Sequence, residues 1–216
     1  MKKTLLFTYL FLLCSLTLFA QTEQSPRIVH VKEKSAIHVP PQEAPAGLTK
    51  IYSNLGSSKT DLYNDLSGWV VWGPHSSSGG PFFIAIPFTP KSNSHVTQVR
   101  VAVQYAGGAN QVNLSIYGDT GGAPGTLLAG PVTVTNLPDE GTCCGLTVTN
   151  FSPVAVTGGT RYWVVADTPL TGTGSDFSGV WNIVVKTIPM DTDGGSGWQP
   201  TNADVLAAGE VLGTIP

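Results

Sequence analysis

The sequence predicts an all-β chain, an antiparallel β-sandwich of jelly-roll type, and three observations carry that expectation. Charged residues make up 12% of the chain, about half the ~25% of an average soluble domain, and the 25 glycines and 16 prolines favour tight turns over helices. Apolar residues alternate with polar ones: Val99, Val101, Val103 and Tyr105 against Gln98, Arg100, Ala102 and Gln104, then Val112, Leu114 and Ile116 against Gln111, Asn113 and Ser115. This is the signature of strands with one buried and one wet face. Finally, the apolar runs are short and divided by turn clusters, with no helical period of 10 to 15 residues to build parallel crossovers.

Taken in order, the chain opens with Lys2 and Lys3, an almost unbroken apolar run from Leu5 to Phe19, and the small residue Ala20. These are the basic, apolar and cleavage regions of an export signal. The run is too short for the roughly 20 residues of a membrane span. Cys14 follows the bulky Leu13, which does not fit a lipid-attachment site. Residues 1–20 are therefore expected to be a cleaved signal peptide, leaving no membrane span in the mature chain and a secreted or cell-surface location.

Residues 21–47 mix both charges with Pro26, Pro40, Pro41 and Pro45 and show no apolar period, which predicts a flexible linker. His30 and His38 fall in it and read as solvated residues. From residue 48 to 216 the pattern is that of one sandwich domain, with strand-like runs at 69–72, 82–88, 96–105, 112–117, 132–136, 146–151, 162–166 and 180–186. A last run at 205–212 is placed to close the sheet, and its first half, 205–210, is the one helix-like stretch.

The turn Ala106-Gly107-Gly108-Ala109-Asn110 has hairpin length and tolerates positive φ, so runs 96–105 and 112–117 are expected to pair antiparallel. Ser67-Gly68-Trp69 recurs at Ser196-Gly197-Trp198 without matching flanks, so no internal repeat points to a propeller or solenoid.

Several segments together resemble a known group. They are Tyr52-Ser53-Asn54-Leu55, Ser67-Gly68-Trp69-Val70-Val71, Phe88-Thr89-Pro90, Leu114-Ser115-Ile116-Tyr117-Gly118-Asp119 leading into Gly122-Ala123-Pro124-Gly125, and Gly159-Thr160-Arg161-Tyr162-Trp163-Val164-Val165-Ala166. Their order across most of 52–212 resembles the choice-of-anchor R domains of bacteria. The resemblance implies export and a β-rich fold. It carries no catalytic residues, and the sequence ends at Pro216 without the apolar tail and basic cluster of anchored members.

Acids outnumber bases, giving a net charge of -3, and no basic stripe exists to neutralise nucleic-acid phosphates. Cys143 and Cys144 are adjacent, so they cannot close an ordinary loop. A vicinal disulfide, two free thiols and cross-links to another chain are all open to them, and the disulfide is the expectation.

No serine completes a G-x-S-x-G elbow. His75 and His95, the domain's histidines, sit in serine-rich turn-like segments and read as exposed loop residues. Glu140 and Glu210 are the domain's only glutamates, and Asp139–Glu140 reads as a turn, which leaves no visible carboxylate pair for glycoside cleavage. The chain is thus expected to be non-catalytic and to need no cofactor.

Asp191-Thr192-Asp193-Gly194-Gly195 spaces oxygens as half a calcium loop does, which makes Asp191 and Asp193 the candidate ligands of a structural Ca²⁺, with Asp119 and Asp176 as other loop acids. Asn202 stands where the full motif needs a bidentate glutamate. Trp69, Trp72 and Trp198 are the candidate stacking platforms for a sugar, while Trp163 and Trp181 lie in apolar strands and read as core. The expected partners are extracellular polysaccharide or a surface protein. A hydrolase using His75 or His95 and a self-assembling structural protein are the competing readings.

Overall fold

The computed structural model describes residues 27–30, 43–58, 60–77, 79–169 and 175–216, with backbone alone at 185–189 and 202–204. The expected signal peptide at 1–20 lies outside these residues, as do 21–26 and 31–42 of the expected linker. No helix forms among the described residues.

The chain builds strands β1 (Ile28–His30), β2 (Thr49–Ser53), β3 (Asn64–Trp72), β4 (Phe83–Phe88), β5 (Ser94–Val101), β6 (Val103–Gly107) and β7 (Gln111–Thr120). It continues through β8 (Ala123–Thr135), β9 (Thr147–Val156), β10 (Tyr162–Asp167), β11 (Ser178–Asp193), β12 (Trp198–Ala207) and β13 (Gly209–Thr214).

All pair antiparallel in two sheets. The smaller has the order β2-β13-β5-β9, and the larger runs β1-β3-β11-β4-β10-β7-β8, with β6 and β12 also on β11. Along the chain, β2, β5, β9 and β13 fall in the small sheet, while β4, β7, β8 and β10 form four adjacent strands of the large one. The chain therefore crosses repeatedly from one sheet to the other, at β2–β3, β4–β5, β5–β6, β8–β9, β9–β10 and β12–β13, which is the winding of a jelly-roll sandwich.

The apolar phase of the alternation marks the side of each strand that enters the core, but the phase expected to be wet on run 96–105 is buried too, with Gln98, Arg100, Ala102 and Gln104 at most 5% exposed. Val96, Val99, Val101 and Val211 of the small sheet meet Ile84, Ile86, Phe88, Leu114, Ile116, Val164 and Ala166 of the large one in a single cluster. Phe88 stacks on Tyr162 with centroids 5.6 Å apart. Burying each such side chain contributes about 1.5–3 kcal/mol.

Two expectations need correction. Runs 96–105 and 112–117 do not form a hairpin with each other, because the first breaks at Ala102. Its β5 half joins the small sheet, its β6 half pairs with β11, and β7 pairs with β8 and β10. Val99, Val101 and Val103 are all fully buried, so the inward side is kept while the chain changes sheets and the alternation gives no sign of the crossing. The helix-like stretch 205–210 is also strand, again changing sheet at a buried alanine, Ala208.

The two crossings share one node. Asn182 N–H donates to the Ala102 carbonyl (2.9 Å), Ala102 N–H to the Ala208 carbonyl (3.0 Å), and Ala208 N–H to the Asn182 carbonyl (2.8 Å). Such a ring satisfies the backbone groups that leave their ladders. It needs small side chains where three chain segments meet.

Part of the segment expected to be a linker is sheet: β1 pairs with β3, placing Val29 opposite Gly68. Its backbone completes the edge that β3 presents on that side.

Candidate functional site

Alternate residues face opposite sides of a strand, so the core positions fix what the large sheet turns outward. With Ile84 and Ile86 in the core, Phe83, Ala85 and Pro87 of β4 face out. With Val164 and Ala166 in the core, β10 turns out Trp163, Val165 and Asp167, following Arg161. Leu114 and Ile116 likewise leave Asn113, Ser115, Tyr117 and Asp119 of β7 on the outer side, and Met190 leaves Asp191 and Asp193 of β11 there.

The register sets these residues in rows. One row reads Asp191, Ala85, Val165, Ser115; another sets Pro87, Trp163 and Tyr117 side by side. Asp193 stands between Trp198 and Phe83, and Asp167 pairs with Asn113.

This outer surface is not flat. Four strands separate β12 from β8 in the pairing order, a span of about 24 Å at the usual interstrand spacing, yet the two approach within 8 Å. The charges of Asp119 on β7 and Arg161 beside β10 also reach Asp191 on β11. Since these are outer-side groups, the sheet curls toward its outer side and makes a cup.

Ala85, Trp163 and Val165 are the buried floor of the cup, and the partly exposed Tyr117 and Trp198 pack against them. Hence Trp163 is buried, as its sequence predicts, but in a second cluster apart from the main core.

Most polar groups of the cup are committed. Trp163 Nε1–H donates to Asp119 Oδ1 at 2.9 Å, and the Gly122 N–H donates to Asp119 Oδ2 at 3.2 Å. The Arg161 guanidinium lies 3.9 Å from Asp119 Oδ1 and 6.0 Å from the Trp163 ring centroid. Asn113 donates to Asp167 Oδ1 at 2.8 Å and accepts from Thr133 Oγ1 at 2.8 Å.

Asp191 is the exception. It is 1% exposed, and its Oδ2 has no hydrogen-bond partner; the Oγ of Ser115, also 1% exposed and in the same row, has none either. Burial raises the Asp191 carboxyl to about 6, with the Asp119 charge adding to the rise and Arg161 opposing it. Asp167 is also raised by burial, against the lowering effect of its Asn113 hydrogen bond. Tyr117 is raised by burial and then by the Asp167 charge.

No family model matches the chain, and no curated protein or solved structure matches it. The chemistry of the cup therefore rests on its own residues.

The three candidate tryptophans are not brought together as one platform. Trp69 is only 2% exposed and lies in the main core, so its faces are closed to a ligand, a correction that follows from the burial of every β3 residue from Ser67 to Val71. Trp72 is half-buried and packs against the same core. Trp198 alone reaches the cup.

Asp193 serves its own turn, since its Oδ1 accepts from the Gly195 N–H (2.7 Å) and the Gly197 N–H (3.0 Å). Asp191 faces the cup. Among the described residues no three acidic, histidine or cysteine side chains gather to hold a metal.

Cys143 and Cys144 are joined by a disulfide and buried with Tyr63, Ala102 and Ala208. The Tyr63 hydroxyl lies 3.0 Å from the Thr142 carbonyl and 2.8 Å from that of Gly145. This pair thus belongs to the packing around the sheet crossings.

His75 Nδ1 lies 3.1 Å from Oδ2 of the buried Asp176, which also accepts the His75 backbone N–H at 2.9 Å. His95 is exposed on β5 in the other sheet. Glu210 is tied to Arg100 at 2.9 Å in that sheet, away from Glu140 in its turn.

Sequence reading missed Asn113, Tyr117, Arg161 and Asp167 as cup residues and named Asp119 only as a loop acid for Ca²⁺. Their signal was the polar phase of the alternation, in particular Tyr117 and Asp119 two apart on one strand and Arg161 and Trp163 two apart on its neighbour.

Proposed function

We propose that this chain is an exported, non-catalytic sandwich module that binds extracellular saccharide in the cup of its large sheet. The observation that carries the reading is the placement of two partly exposed aromatics, Tyr117 and Trp198, on a floor ringed by carboxylates, an amide and a guanidinium. A sugar ring has apolar C–H faces that pack on an aromatic ring and hydroxyls that donate to carboxylates and accept from Arg and Asn. The export signal at 1–20 and the resemblance to choice-of-anchor R domains enter this proposal as expectations that agree with it.

A glycan array with the purified chain tests it. Binding to a defined set of glycans, lost in Trp198→Ala and Tyr117→Ala and kept in Trp72→Ala, is the expected result. Binding indifferent to both cup substitutions, or no binding to any glycan, would remove the saccharide reading.

A second reading, hydrolysis, has one observation in its favour: Asp176 orients the half-exposed His75, as a carboxylate orients a catalytic histidine. A polymer hydrolysed by the chain and spared by His75→Ala would favour it over simple binding.

A further inference from the structure

We propose that the cup selects saccharides carrying a protonated amine, whose ammonium meets the Asp191 carboxylate while the sugar ring lies against Tyr117 and Trp198. The inference rests on the saccharide reading and narrows it to one substrate class, the amino sugars with a free amine.

Charge supports it first. Asp119, Asp167, Asp191 and Asp193 face the cup against Arg161, and that guanidinium already lies beside Asp119 and the Trp163 ring. An acidic sugar would bring like charge into this surface, whereas a cation would be drawn to it.

Hydrogen-bonding capacity points the same way. Asp119, Asp167 and Asp193 each accept donors from the protein. Asp191 Oδ2 and Ser115 Oγ have no partner, and both residues are 1% exposed. A buried acceptor left without a donor is costly, and an ammonium brings three donors and no acceptor. Asp191 and Ser115 stand three strand steps apart in one row, across Ala85 and Val165, so the ammonium is assigned to Asp191, which it would reach over that apolar floor.

The aromatic cover completes the set. Tyr117 and Trp198 pack against the floor while remaining partly exposed, so they are the side chains a ligand displaces or stacks on to reach the row. Their π-faces attract a cation as well as a sugar face. N-acetylation would remove the charge and two of the donors together.

Isothermal titration of the purified chain at pH 7 tests the inference with glucosamine oligomers, N-acetylglucosamine oligomers, glucose oligomers and spermine. Glucosamine oligomers should bind at least about tenfold more tightly than the other two sugars, the gain typical of one charge-assisted contact. Asp191→Asn should erase that preference while keeping the wild-type circular dichroism.

Equal affinity for aminated and neutral oligomers would overturn the inference, as would a preference that survives Asp191→Asn. Spermine bound as tightly as the glucosamine oligomers would overturn the amino-sugar assignment in favour of a general cation site. Neutral oligomers bound without amine preference and lost in Trp198→Ala would overturn this inference alone. Failure of every oligosaccharide to bind would overturn it together with the saccharide reading.

Discussion

Changing Asp191 to Asn should alter how stability depends on pH more than it alters stability at any one pH. The carboxyl is 1% exposed with one oxygen unpartnered, and burial with the neighbouring Asp119 raises it to about 6 from an ordinary 3.8. A group that holds its proton more tightly folded than unfolded stabilises the fold while protonated, and that contribution is lost as pH rises from about 4 through about 6. A shift of about two units corresponds to about 3 kcal/mol, lessened by any water that reaches the cup's rim. Asn has no proton to lose, so the variant lacks this slope.

Urea unfolding of both proteins at pH 4, 5, 6 and 7 measures the difference directly. Wild type minus Asp191→Asn should fall by about 2–3 kcal/mol from pH 4 to pH 7, whatever its constant offset. The other charges facing the cup, Asp119, Asp167, Asp193 and Arg161, are common to both proteins and largely cancel. A difference that stays flat across this range would refute the burial argument for Asp191.

Three further outcomes follow from the packing. Ala102→Val or Ala208→Val should cost about 1–3 kcal/mol by overfilling the node where strands change sheet, read as a lower urea midpoint with unchanged m-value. Glu210→Ala should cost about 3–5 kcal/mol, because Arg100, only 3% exposed, would lose its partner at 2.9 Å; the double change Arg100→Met, Glu210→Leu should recover most of this in the same denaturation assay. Tyr63→Phe should cost about 1–3 kcal/mol by leaving the Gly145 carbonyl without its donor, while the Thr142 carbonyl keeps the Gln104 amide, and thermal unfolding should show it with the disulfide intact.

The class of the fold was legible because the alternation of apolar and polar residues is local. Val99, Val101 and Val103 say which side of the chain faces the core, and the structure buries all three, though it also buries Gln98, Arg100 and Gln104 of the phase expected to be wet. What that pattern cannot carry is pairing. The backbone turns from one sheet to the other at Ala102 without breaking the inward phase, so two strands joined by a hairpin-length turn end in opposite layers or on different partners. The partner of Ala102 is Ala208, more than a hundred residues along the chain, and nothing near either residue announces the other.

The site was harder to read for a related physical reason. A polar phase predicts a wet surface, and on a flat sheet Ser115, Tyr117, Asp119 and Asp191 would be scattered over one. Curling brings β12 within 8 Å of β8, which turns part of that surface into a floor and makes burial, charge and aromatic faces act on one another. Trp69 and Trp198 share a Ser-Gly-Trp context, yet β3 is buried throughout from Ser67 to Val71 and Trp198 of β12 packs on the cup floor, so composition alone could not separate the buried ring from the available one. Asp191 and Asp193 show the same division two residues apart: the glycines after Asp193 supply its donors through the turn, and Asp191, carried inward by the curl, keeps an oxygen with none. The unmet oxygen follows from the bend of the sheet rather than from the Asp-Thr-Asp-Gly motif. For that reason the titration of Asp191, and its response to an ammonium-bearing ligand, reports on the cup as a whole.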